Sequence, residues 1–185
     1  MAAQKIVNGV NIDQLFSTID LLKEKPELAK FKFRATNKWL GGTHSRATVK
    51  DFYGPGKEDI SRAPVSFDLD EPEVLLGTNQ GTNPVEYLLV ALSGCITTAL
   101  VAHAAAKKIP LRTVESRFEG DIDLRGFLCM SDEVPVGYKE IRVYFKIDVD
   151  ISEEQKEELV RMGEKYSPVA NAIKSQTPVS VQLEK

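Results

Sequence analysis

Between Tyr87 and Ala106 the chain carries no Lys, Arg, Asp or Glu. A run of about 20 uncharged residues is either a membrane span or a helix closed in on all sides by protein. Its start is written just ahead of it. Asn83 is a good N-cap, Pro84 suits the first helical position, and Glu86 stands three residues after the cap, as a capping box requires. Ser93, Gly94, Cys95, Thr97, Thr98, His103 and many alanines make the run a poor solute for lipid. It therefore reads as a buried helix of a soluble protein, ended by Ile109-Pro110.

At about 100° per residue, Leu88, Ala91, Cys95, Thr98, Ala102 and Ala106 fall on one stripe of that helix. Most of these side chains are small, so another backbone can come close. Gly94 costs about 1 kcal/mol relative to Ala in a helix interior, which argues that the space beside Cys95 is used. Periodicity alone leaves Cys95 two readings: a small buried hydrophobe, the commonest fate of a free cysteine, or a reactive thiol.

Composition narrows the class. A chain of 185 residues with 42% hydrophobic and 28% charged residues is long enough for one core and has a globular balance. The net charge of −3 offers no electrostatic footprint for nucleic acid or an anionic membrane. Two cysteines make no disulfide framework, and neither their spacing nor the two histidines, His44 and His103, suggests a metal site. The first residues lack an apolar stretch of the secretory kind, so a cytoplasmic location is the expectation.

Along the chain, Asp13 to Lys25 has helical spacing before Pro26. Phe31, Phe33 and Ala35 alternate as in a half-buried strand, Gly41-Gly42 makes a turn, and Thr43 to Phe52 reads as the returning strand of a hairpin. On that strand His44, Arg46, Thr48 and Lys50 share a face. Trp39 reads as a packing residue, Tyr53 to Ala63 as a loop, and Val65 to Leu69 as a third strand. Beyond the central helix, Leu111 to Leu124 and Tyr138 to Val149 read as an antiparallel pair joined through Phe127 to Gly137, which holds Cys129. Ser152 with Gln155 opens a helix to about Tyr166. Ser167-Pro168 opens a short one to about Lys174, and Pro178 to Leu183 reads as a last strand. The sum is one α+β domain over residues 1–185, with strands before and after a buried helix.

Several of these segments resemble the OsmC/Ohr family (osmotically inducible protein C and organic hydroperoxide resistance proteins). The resemblance rests on Trp39-Leu40-Gly41-Gly42, on Asn83-Pro84-Val85-Glu86-Tyr87-Leu88-Leu89 with Ala91-Leu92-Ser93-Gly94-Cys95, on Asp123-Leu124-Arg125-Gly126, and on Ser167 to Ile173. It implies an intertwined homodimer with antiparallel or mixed sheets around long buried central helices, residues 1–28 being a helical extension found in part of the family. It also implies a thiol-dependent peroxidase that reduces organic hydroperoxides with a thiol reductant and no cofactor. In such enzymes a first cysteine attacks the peroxide and a second, from a Cys-Pro-Val motif, closes a disulfide. Cys95 occupies the first position and Ser167 the second.

A hydroxyl cannot close that disulfide, so the usual cycle cannot run through Ser167, which is an apt N-cap instead. Three routes stay open. Cys95 works alone with a small thiol, Cys129 resolves from its connection, or the cycle is lost and an apolar pocket lined by Leu88, Ala91 and Leu92 binds a small ligand. Arg46 matches the family's active-site arginine, whose cation would hold Cys95 as thiolate. The family's arginine-orienting glutamate follows the Pro directly. Here that place is Val85, and Glu86, nine residues before Cys95 and about 13 Å away along a straight helix, is read as a cap unless a second subunit brings it in. His44 is an auxiliary candidate beside Arg46, and His103, about 12 Å up the helix, reads as a core histidine.

Overall fold

The computed structural model describes residues 5–175 and 177–184. The chain is α+β, with antiparallel strand pairing and, among the described residues, five α-helices. It divides into two compact units. Of the described residues, one takes in 5 and 11–88; the other takes in 6–10, 89–175 and 177–184.

In the first unit, helix α1 (Ile12–Glu24) is capped by Asn11, whose side chain accepts the Gln14 N–H, and its last turn stops ahead of Pro26. Beyond the short strands β1 (Ile6–Val7) and β2 (Val10–Asn11), which precede α1, the strands β3 (Lys32–Phe33), β4 (Thr36–Gly41), β5 (His44–Val49), β6 (Phe52–Tyr53), β7 (Glu58–Asp59) and β8 (Val65–Leu69) follow. The hairpin turns at Gly41-Gly42, but its first strand is β4 rather than the Phe31–Ala35 run, whose Lys32–Phe33 pairs instead with β6. The stretch read as a loop from Tyr53 carries a second small hairpin, β6 with β7. β5 lies between β4 and β8.

Among the described residues Trp39 packs against little. Its ring is 70% exposed, with the indole N–H donated to the Gly42 carbonyl at 2.9 Å. Phe67 on β8 meets Tyr87 edge to face at 5.7 Å between ring centres. Arg46 and its cross-strand partner Asp68 therefore lie on the sheet face away from that contact, because successive side chains alternate.

The turn-rich segment before the central helix is organised by a residue that patterning does not single out. Asp70 is buried, and its carboxylate accepts from Thr43 Oγ1 at 2.6 Å, Thr78 Oγ1 at 2.8 Å, and the N–H groups of Glu71, Thr78 and Gln80 at 2.9, 3.1 and 3.0 Å. Gly77 closes the same turn, where an added Cβ would run into the Glu71 backbone.

The second unit holds β9 (Thr113–Ile122), α3 (Leu124–Phe127), β10 (Tyr138–Asp148), α4 (Glu153–Lys165) and α5 (Pro168–Lys174), with most of helix α2 (Pro84–Ala106). β9 and β10 pair antiparallel, Val143 facing Phe118 and Ile147 facing Val114. Ser152 and Gln155 form the reciprocal capping box at the start of α4. Asn8 ties residues 6–10 to this unit: its side chain donates to the Ile109 carbonyl at 2.9 Å and accepts the Leu111 N–H at 2.8 Å.

The core runs along one face of α2. Leu92 and Ile96 pack with Ala170 against Phe118, Ile141 and Val143, and Leu100 and Ala104 pack with Leu159. Gly163 lets α4 come close, since a Cβ there would stand 3.1 Å from the Ile96 carbonyl oxygen. Among the described residues the helix is not enclosed all round. Its buried residues are Leu92, Ile96, Leu100, Ala104 and Ala105, whereas Val90, Ala91, Gly94 and Thr98 are exposed. By length and composition alone α2 could cross a membrane, but its Leu92-to-Ala104 face packs as a core helix packs.

Residues 177–184 contain no strand. The Pro178 to Leu183 run has the alternation of one, yet Val179, Val181 and Leu183 point into solvent, Val181 at 91% exposure. A strand needs an edge to pair with, and none within the described residues takes it.

Candidate functional site

Cys95 sits at mid-helix on α2, on the flank next to the Leu92 and Ile96 core and outside it. Its thiol is free and partly accessible. It opens into a shallow cavity of about 570 Å³ formed by Ala91, Gly94, Cys95 and Thr98 with Tyr166 and Pro168 from the α4–α5 junction. The small side chains leave the room: a Cβ added at Gly94 would meet nothing within 4 Å. So the space beside Cys95 that Gly94 implies is real, and among the described residues of this unit nothing fills it.

Pro168 reaches the cavity because α5 starts beside it. Ser167 is fully buried, and its Oγ accepts the Ala170 N–H at 3.1 Å, which makes it the N-cap of α5. His103 lies further along α2 with its ring against Tyr166, 4.6 Å between centres. Burial, and then the nearby Lys107, press its pKa below the ordinary histidine value. Cys129 stands elsewhere in this unit, exposed in the turn after α3, with a left-handed φ of 55° and its thiol 3.9 Å from the Phe127 carbonyl. It does not line the Cys95 cavity.

The residues named for an apolar pocket separate. Ala91 lines the Cys95 cavity, while Leu92 faces a second one of about 270 Å³ with Ile96, Ile141, Val143 and Phe145. They are neighbours in sequence, so on a helix they point about 100° apart. Leu88 belongs to the first unit and is exposed there.

The first unit brings three side chains together on one sheet face. Arg46 grips Asp68 through two parallel bonds, Nε to Oδ1 at 3.0 Å and Nη2 to Oδ2 at 3.1 Å. His44 Nε2 lies 3.0 Å from the same Oδ1. The bonds from Arg46 and then His44 hold Asp68 below the usual carboxylate range, and Asp68 in turn raises Arg46. Asp68 is the residue that sequence reading missed. Alternation placed Arg46 on a face, but only the register of β5 against β8 shows which carboxylate stands opposite.

Glu86 is engaged at the start of α2. Its Oε2 accepts the Asn83 N–H at 3.1 Å while Asn83 Oδ1 accepts the Val85 N–H at 2.9 Å. The two halves of this box satisfy N–H groups at the open end of the helix.

Comparisons with known proteins agree with this architecture. A crystal structure of an OsmC-like protein from Mycoplasma pneumoniae superposes with a TM-score of 0.60 at 19% identity, covering 77% of this chain and 87% of that one. An organic hydroperoxide resistance protein OsmC from Legionella pneumophila superposes with a TM-score of 0.54 at 21% identity, covering 77% and 88%. At such identities the likeness is one of fold. No curated protein matches the sequence. The family model described as OsmC-like protein matches residues 77–182, which take in α2 with Cys95, the β9–β10 pair and the Ser167-Pro168 start of α5, and the chain belongs to that family.

Proposed function

We propose that the protein is a thiol-dependent peroxidase of organic hydroperoxides in which Cys95 works without a resolving partner at residue 167. The observation that carries the reading is the setting of Cys95: a free, partly accessible thiol opening into a cavity of small side chains instead of lying in the core. Its position in the family's helix and the hydroperoxide-resistance relative support the same chemistry.

In this reading the Cys95 thiolate attacks the terminal oxygen of the hydroperoxide. The O–O bond breaks, the alkoxide leaves and takes up a proton as the alcohol, and Cys95 is left as sulfenic acid. A first monothiol condenses with that sulfenic acid to a mixed disulfide and water, and a second releases Cys95 as the free thiol and leaves with the first as a disulfide. Ser167 takes no part, being a buried helix cap.

A thiolate needs a cation, since free cysteine titrates near 8.5. Arg46 is that cation in the proposal, and the site is completed in a homodimer. The uncovered face of α2 at Val90, Ala91, Gly94 and Thr98 supports a second copy, because such a row of small and apolar side chains suits close helix contact. A second reading, a dimer that binds a small apolar ligand without turnover, is favoured by the cavity at Leu92, Ile96 and Phe145.

Hydroperoxide consumption with a monothiol and with a dithiol, for wild type, Cys95→Ser and Cys129→Ser, separates these. Monothiol-dependent turnover that survives Cys129→Ser and disappears in Cys95→Ser is the expected result. Absence of turnover and of dimedone-trapped sulfenic acid in wild type sinks the enzyme and leaves the binding protein.

A further inference from the structure

The carboxylate that orients Arg46 is the gap in this site. Glu86 holds the Asn83 N–H at the start of α2. Asp68 instead stands directly opposite Arg46 in the β5–β8 register and meets the guanidinium in a two-bond fork. Residues directly opposite in an antiparallel pair have Cβ atoms about 5 Å apart, so the backbone itself presents the two side chains to each other. Fork geometry fixes the plane of the guanidinium as well as its place, which a single ion contact does not. His44 closes on the same Oδ1 from two residues along β5, restricting the carboxylate from the other side. Nε and Nη2 are engaged, and among the described residues Nη1 takes no partner.

We propose that Asp68, steadied by His44, is the positioning residue for Arg46, holding the guanidinium by one edge so that Nη1 is offered to the anion formed at the thiol site. This inference rests on the reading above, in which Arg46 serves Cys95. Asp68 touches neither sulfur nor peroxide; it acts through Arg46 alone.

The test is a double-mutant cycle on the single-turnover rate of Cys95 oxidation by tert-butyl hydroperoxide, followed by dimedone trapping. Asp68→Asn and Asp68→Glu are each made in wild type and in Arg46→Gln, with circular dichroism melts on every variant. Asp68→Asn is expected to slow oxidation about tenfold in wild type and not at all in Arg46→Gln, with Asp68→Glu between Asp68→Asn and wild type. Equal losses in both backgrounds, or no loss in wild type while Arg46→Gln is itself slow, overturn the role of Asp68 and leave the peroxidase standing. An Arg46→Gln variant as fast as wild type overturns the role of Arg46, and with it this one. If Asp68→Asn does not fold, Asp68→Glu decides alone: slower than wild type with Arg46 present and unchanged without it supports the role, and any other pattern overturns it.

Discussion

Ser167 shows how one atom divides structure from chemistry. Its hydroxyl does what a cap must, accepting an N–H that would otherwise be orphaned inside the protein, and does nothing that a resolving thiol must. Ser167→Ala is expected to cost about 0.5–2 kcal/mol in denaturant unfolding and to leave monothiol-supported turnover unchanged. Asp70 is the opposite case, a charge spent wholly on architecture. Its five hydrogen bonds, the Thr43 hydroxyl foremost and the Gln80 N–H next, outweigh burial and hold it far below the ordinary carboxylate value. Because the folded pKa is depressed, the stability it contributes is complete above the unfolded value of about 4 and drains as pH falls through the folded one. The melting-temperature gap between wild type and Asp70→Asn is therefore expected to be widest near neutral pH and to narrow steadily below about pH 4.

At the scale of the element, α2 carries two jobs on two faces. Leu92, Ile96, Leu100 and Ala104 recur at four-residue spacing and hold the second unit together. Leu100 is fully buried against Leu159, and Leu100→Ala is expected to cost about 2–5 kcal/mol by chemical denaturation. The flank beside that face keeps Cys95 partly accessible. Leu100 and Cys95 are thus separable by mutation, stability moving with one and thiol reactivity with the other. The strands show where periodicity stops. The alternation in Phe31–Ala35 and in Pro178–Leu183 is genuine, yet the first gives two residues of strand and the second none, because pairing is decided by a partner edge and not by the run itself.

For the whole molecule, the open side of α2 is the feature that one chain leaves unfinished. Val90 is 57% exposed in the first half of α2, with Ala91, Gly94 and Thr98 uncovered along the same side. Light scattering is expected to give twice the mass of the chain, and Val90→Lys with Thr98→Lys is expected to shift it toward the single mass by burying charge in the proposed contact. If the doubly substituted chain keeps the wild-type mass, the second copy lies on another face.

Read alone, the amino-acid order determined the parts that depend on neighbours in the chain. The capping box at Asn83 and Glu86, the one at Ser152 and Gln155, the Ser167 cap, the turn at Gly41-Gly42 and the stripe through Cys95 are all settled by contacts within a few residues. The tertiary structure decided everything that depends on register or enclosure: that Asp68 is the carboxylate opposite Arg46, that Asp70 gathers the turn before α2, that Trp39 faces out, and that Ala91 and Leu92 serve different cavities. The physical reason is range. A cap or a helical stripe is fixed by a repeat of 3.6 residues, whereas a cross-strand partner or a closed core exists only once segments far apart in sequence have met.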